Sequence, residues 1–118
     1  MDEKKKNVEE FKKERERLNR IIMDYSSTST KRFFALDTQV YSEGKIPAKY
    51  KELMGLVGSI VLRCDDCILY HLIRCFEEEV TDDEIVEAAD IALIIGGSIT
   101  IPHIRRLFDN WKGMKEKD

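Results

Sequence analysis

Apolar residues recur at intervals of three and four along most of this chain, and strict alternation is nearly absent. That spacing lines up side chains on one face of an α-helix, whereas a half-buried strand needs a period of two. From about Glu3 to Tyr25, the residues Val8, Phe11, Leu18, Ile22 and Tyr25 fall near one face, with charge elsewhere. The polar run Ser26-Ser27-Thr28-Ser29-Thr30 ends this helix and offers caps for a second, at roughly 31–42, which carries Phe33, Phe34, Val40 and Tyr41 and stops at Gly44. Pro47 sits where a third helix begins, running from about Ala48 to Leu62. A fourth continues to about Glu79. Thr81-Asp82-Asp83-Glu84 has the capping-box pattern and starts a fifth, with Ile85, Ala88, Ala89, Ala92 and Ile95 inward. Gly96-Gly97 marks a break or a close helix crossing. Pro102 opens or kinks a last helix carrying Ile104, Leu107, Phe108 and Trp111. Ile99-Thr100-Ile101 is the one strand-like run, too short and isolated to make a sheet. The expected fold is therefore all-α, a single-domain bundle of about six helices. An amphipathic N-terminal helix occupies 1–28, a helical domain 29–112, and a frayed lysine-rich tail 113–118.

One boundary carries more weight than the others. No proline interrupts 48–79, so the pattern alone permits a single long helix there. Glu52 and His71 would then lie about 28 Å apart, at about 1.5 Å per residue, and could not cooperate. A break near Arg63–Asp65 instead folds the halves into an antiparallel pair, with Glu52 and His71 at similar distances from the turn. Asp65 and Asp66 in a first turn suit the positive end of a helix dipole, which favours the break.

Composition narrows the function classes. At 118 residues the chain is one domain, near the size at which subunit contacts supplement a small core. A net charge of −3 gives no reason to expect nucleic acid binding. The lysines Lys4–Lys6, Lys12 and Lys13 are interleaved with Glu9, Glu10, Glu14 and Glu16, the pattern of a solvated helix face. The apolar stretches Leu53–Leu62 and Ile91–Ile95 are far too short to span a bilayer, and no signal-like apolar segment follows the charged N-terminus. Phe33, Phe34, Ile91, Ile94, Ile95, Ile99, Ile101 and Trp111 fall on more than one side of their helices, more apolar surface than one layer of helices covers. A closed homo-oligomer is expected.

Three cysteines, an odd number without framework spacing, argue against a secreted disulfide scaffold and for a reducing cytoplasm. There a C-x2-C pair reads as catalytic or metal-binding, and Cys64-Asp65-Asp66-Cys67 is such a pair, with His71 four residues beyond. On a helix beginning near Cys64 the two cysteines have Cα atoms within disulfide range, and Cys67 and His71 share a face. The helix N-terminus and Arg63 lower thiol pKa values, while Asp65 and Asp66 oppose them. Thiol, imidazole and the Glu52 carboxylate together supply what a thiol redox site needs. Zinc is the rival use, with Cys75 as a proposed fourth ligand. Cys64 and Cys75 would stand roughly 16 Å apart on one helix, which argues against that set. Taken singly, Cys75 reads as core, His103 as a structural or interface residue, and Glu52 and His71 as ordinary side chains. No metal or organic cofactor is expected.

The joint pattern Glu52-x11-Cys64-x2-Cys67-x3-His71 resembles the carboxymuconolactone decarboxylase family, on its alkylhydroperoxidase D side. The similarity runs through Phe34, Gly44-Lys45-Ile46-Pro47, Lys51-Glu52-Leu53 and Val80-Thr81-Asp82-Asp83-Glu84-Ile85 to Gly96-Gly97. The resemblance implies an all-α fold with the C-x2-C at a helix start, assembled into trimers or hexamers. It also implies that Cys67 is the attacking thiolate, Cys64 its resolving partner, and His71 with Glu52 the proton relay. The corresponding activity is reduction of a peroxide or small disulfide, with electrons from an external dithiol. The alternatives are a lyase acting on a small carboxylated substrate and a non-catalytic oligomeric scaffold. Two positions depart from the pattern. Asp66 stands where the peroxidases carry a further relay histidine, and Glu79 stands where a glycine is common.

Overall fold

A computed structural model describes residues 3–116; Met1, Asp2, Lys117 and Asp118, the ends of the expected N-terminal segment and tail, lie outside the described residues. Six α-helices follow in order: α1 (Glu3–Tyr25), α2 (Thr28–Tyr41), α3 (Ala48–Val61), α4 (Asp65–Glu77), α5 (Asp82–Gly96) and α6 (Ile101–Lys115). A single 3-10 turn, Ser98–Thr100, joins the last two, so the strand-like run becomes the lead-in to α6. No strand occurs among the described residues. The all-α expectation holds.

The decisive boundary is the break between α3 and α4, and backbone chemistry explains it. Leu62 caps α3, and Arg63 follows in the left-handed region at φ 59°. The N–H of Arg63 donates to Ile60 O at 2.9 Å and that of Cys64 to Ser59 O at 3.1 Å, the paired bonds of a Schellman ending. Cys64 then serves as N-cap of α4, its Sγ accepting the Cys67 N–H at 3.3 Å. One short turn thus closes one helix and opens the next. The same ending recurs at the other end of α4: Glu79 sits at φ 60°, its N–H bonded to Phe76 O and that of Val80 to Cys75 O. The glycine-to-glutamate departure therefore falls on a left-handed position, where a side chain costs about 1 kcal/mol.

The break sends α4 back along α3, and α5 packs on the other side of α3. The core is Leu56 and Ile60 of α3, Ile68 and Leu72 of α4, Ile85 and Ala92 of α5, and Leu107 and Trp111 of α6. The capping box at Thr81 and Glu84 forms in full, and Lys49 reaches Glu84 at 3.0 Å to pin the starts of α3 and α5 together.

Three expectations need correction. Ile95 points outward, because the buried stripe of α5 drifts through Ala92 to Gly96, which lies against Val61. As far as Lys115 the segment after Trp111 is not frayed: α6 runs on to that residue, with Gly113 and Met114 buried and Lys115 bonded to Asp82 at 2.9 Å. Only the first half of α1 is anchored, through Val8 and Phe11. Leu18, Ile22 and Tyr25, expected on the same buried face, are exposed.

Candidate active site

The antiparallel return of α4 brings together two groups nineteen residues apart. His71 Nδ1 lies 2.9 Å from Glu52 Oε1, and both side chains are buried, Glu52 to 2% exposure. A carboxylate can only accept, so Nδ1 carries the hydrogen and Nε2 is left as the basic nitrogen. The second oxygen of Glu52 faces Arg74 Nε at 3.5 Å, and Arg74 in turn holds Glu77 at 2.7 Å. A buried carboxylate is tolerated only when paired, and here a histidine and an arginine share it.

The imidazole is boxed in. Tyr41 and Tyr70 each stand 5.1 Å from it, ring centre to ring centre. Gly55, one turn after Glu52, faces its edge: a Cβ there would meet His71 Cε1 at 2.6 Å and Tyr41 Oη at 2.8 Å. Absence of a side chain at 55 is thus part of the site. Gly55, Arg74, Tyr41 and Tyr70 were missed by sequence reasoning. Gly55 carried a signal, a glycine inside a helix one turn from the key glutamate. Arg74 lay three residues beyond His71, on its face.

Cys67 stands one turn before His71 and is exposed; Cys64 is half-buried and Cys75 fully buried. A cleft of about 830 Å³ leads to Cys67 and His71. Its apolar wall is Phe11, Leu18 and Ile22 of α1 with Phe33 and Phe34 of α2. Arg15 of α1, also lining the cleft, lies over the Tyr70 ring, 3.9 Å from its centre.

The Cys67 thiol holds its proton tightly. The hydrogen bond with Cys64, burial and the nearby Asp66 carboxylate push the Cys67 thiol up to about 11, although the helix N-terminus works the other way. Burial pushes Cys75 up to about 12, which with its complete enclosure makes it an inert core thiol. The sequence left the net effect on Cys67 open; it is upward. Among the described residues no group of three histidine, cysteine or acidic side chains is arranged to hold a metal ion.

Asp65 faces away from the cleft. Its carboxylate meets His103 Nδ1 at 2.7 Å and Arg106 Nη2 at 3.0 Å, both on α6. His103, expected to be structural, is brought to the residue beside Cys64.

Comparison with known proteins decides the family. The profile described as "Carboxymuconolactone decarboxylase family" matches residues 28–110, most of the chain. The chain belongs to that family. Two crystal structures of the Thermotoga maritima protein TM1620 superpose with TM-scores of 0.88 and 0.87 at 53% identity, covering 90% of this chain and 93% and 90% of theirs. One of them is described as a carboxymuconolactone decarboxylase family protein for which a part in the antioxidative response has been suggested. The family protein lpg0406 of Legionella pneumophila has the same fold, with a TM-score of 0.84 at 16% identity over 93% of this chain and 98% of its own. An uncharacterized Cupriavidus necator protein, H16_B0147, is 31% identical over 55 residues, and the match spans about half of that relative's length (49%). The resemblance read from the sequence motif is borne out at the level of the family, and the helix α1 lies outside the matched region. No helix among the described residues is long and apolar enough to cross a membrane.

Proposed function

We propose that this protein is a thiol-disulfide oxidoreductase with hydroperoxide-reducing capacity, acting in the cytoplasm. The observation that carries the reading is the buried Glu52–His71 pair, directed at a cleft into which the exposed thiol Cys67 projects. A thiol held near 11 is a poor nucleophile at neutral pH, so proton removal is the obstacle, and the imidazole of His71, one turn away, is the group suited to it. Glu52 fixes the tautomer and stabilises the imidazolium that forms.

The steps balance without a cofactor. His71 takes the Cys67 proton. The thiolate attacks the terminal oxygen of a hydroperoxide, the O–O bond breaks, and the alkoxide leaves as an alcohol after protonation. Cys67 is now a sulfenic acid. The Cys64 thiol attacks that sulfur, releasing water and forming the Cys64–Cys67 disulfide. An external dithiol returns two electrons and two protons by exchange. With a small disulfide as substrate, a mixed disulfide on Cys67 replaces the sulfenic acid. Asp66, in place of a further relay histidine, makes the first step slower than in a site with two imidazoles.

The exposed residues Leu62 (79%), Ile94 (87%), Ile95 and Ile99 support a second part of the reading, a closed homo-oligomer, with a hexamer ahead of a trimer. Turnover of an organic hydroperoxide or a small disulfide by dithiol-reduced protein tests the activity. Dependence on both Cys64 and Cys67 is expected. Equal turnover by Cys67→Ser would overturn the assignment.

A further inference from the structure

The two aspartates between the cysteines are adjacent in sequence and opposite in circumstance. Asp66 lines the cleft, and its carboxylate makes no ion pair or hydrogen bond among the described residues. Asp65 is tied to α6: Arg106 Nε and Nη2 approach its Oδ2 at 3.1 and 3.0 Å, and His103 Nδ1 approaches its Oδ1 at 2.7 Å. His103 Nδ1 also lies 3.2 Å from Arg106 Nη2, but a nitrogen that donates its hydrogen to a carboxylate has no lone pair for an arginine, so the histidine's bond is the one to Asp65.

We propose that His103 and Arg106 are positioning residues for the dithiol: they turn the Asp65 carboxylate onto α6 and neutralise it, so that it does not oppose ionisation of the cysteines on either side. This deepens the redox reading and rests on it, since only a site that ionises a thiol gains from the arrangement. Three observations converge. Asp65 directly follows Cys64 and opens the helix that Cys64 caps and whose first turn carries Cys67. Its partners come from a helix about 40 residues further along, so the contact is tertiary and not a chance neighbour on the same helix. Of the two aspartates, Asp66 lines the cleft beside Cys67 and its charge helps hold the Cys67 proton in place, while the Asp65 carboxylate is engaged by His103 and Arg106. Burial alone would raise the Asp65 carboxyl, yet the bonds from His103 and Arg106 bring it below the ordinary value, so it remains an anion committed to α6. Its half-exposed position means the network adds little to global stability. Its effect is local charge.

The test is alkylation of reduced protein by iodoacetamide at neutral pH and low salt, with peptide mapping to follow Cys64 and Cys67 separately. Arg106→Gln and His103→Ala should each slow alkylation of the pair, Arg106→Gln by roughly three- to ten-fold, the effect of uncovering one charge within a helical turn at a protein surface. Arg106→Lys should restore most of the loss. High salt should shrink the difference, because exposed charges are screened. In an Asp65→Asn background, Arg106→Gln should have little further effect. An Arg106→Gln loss that persists undiminished in the Asp65→Asn background would overturn the inference, because arginine would then be acting directly on the sulfurs. So would variants that react at the wild-type rate. The redox reading fails by a different sign, an oxidised wild-type protein without a Cys64–Cys67 disulfide, so the two failures are distinguishable.

Discussion

The buried end of the site and its exposed end are built on opposite terms. At the buried end, Glu52 and His71 are enclosed, 2.9 Å apart, with Arg74 on the far oxygen and Gly55 leaving room for the ring. Nothing there needs to rearrange for a proton to be taken up. At the exposed end, Cys67 stands at a helix start with its proton held by Cys64, burial and Asp66. On the proposed redox reading, the fold invests its order in the base, which that reading needs oriented, and not in the thiol, which would pass between dithiol, adduct and disulfide. A helix start capped by Cys64 suits such a pair, since the cap bond from Cys67 N–H to Cys64 Sγ can be given up at modest cost.

That contrast can be broken most forcefully at the relay. His71→Ala and Glu52→Gln should slow oxidation of the dithiol near neutral pH by about 10²–10⁴, the usual value of a positioned base. Stopped-flow oxidation with circular dichroism as a control for folding measures this; unchanged rates in both variants would show that the two ends do not work together. Next comes Gly55→Ala, which keeps every functional group but forces His71 or Tyr41 aside. It should cost about 1–3 kcal/mol in denaturant unfolding and slow oxidation measurably.

The exposed end makes a prediction in pH. Because the Cys67 thiol is raised to about 11, its thiolate fraction at pH 7 is small and grows about ten-fold per pH unit. In His71→Ala, alkylation of Cys67 should therefore climb steadily between pH 7 and 10 without levelling off, while Cys75 stays unreacted in folded protein. A plateau near pH 8 would mean the thiol is not held as described. The raised value has a stability consequence of the same sign. The unfolded thiol ionises near its ordinary value of 9 and the folded one near 11, so any stabilisation from the held proton is complete below about pH 9 and is lost as pH rises toward 11. The smallest effect concerns a position away from the site. Glu79→Gly relieves a left-handed backbone and should stabilise the protein by roughly 0.5–1 kcal/mol with no change in oxidation rate.

Sequence made much of this legible, and unevenly. The six helices and their caps followed from period and punctuation, because Pro47, Thr81–Glu84 and Pro102 are local signals acting locally. The hinge at Arg63 was harder, since a left-handed residue is usually glycine and here is arginine; only the aspartates after it hinted at a new helix. The Glu52, Cys64, Cys67 and His71 set was visible through its spacing. Its supporting groups were fainter: Gly55 and Arg74 offered only their positions beside Glu52 and His71, because with Tyr41 they act through packing that forms when α4 returns along α3. His103 and Arg106 were further from view still, since nothing in a one-dimensional pattern says that α6 crosses the start of α4. Ile95 and the C-terminal turn misled because amphipathic stripes drift and because a lysine-rich end can still bury a methionine.

The central claim is that the relay serves a dithiol that cycles. The most direct measurement is intact mass and peptide mapping of reduced protein before and after treatment with a stoichiometric hydroperoxide, followed by dithiol. The predicted result is loss of two hydrogens, mapped to a Cys64–Cys67 disulfide with Cys75 free, and full recovery on reduction. Oxidation that joined Cys75 to either partner, or that left Cys64 and Cys67 unlinked while the hydroperoxide was consumed, would contradict it.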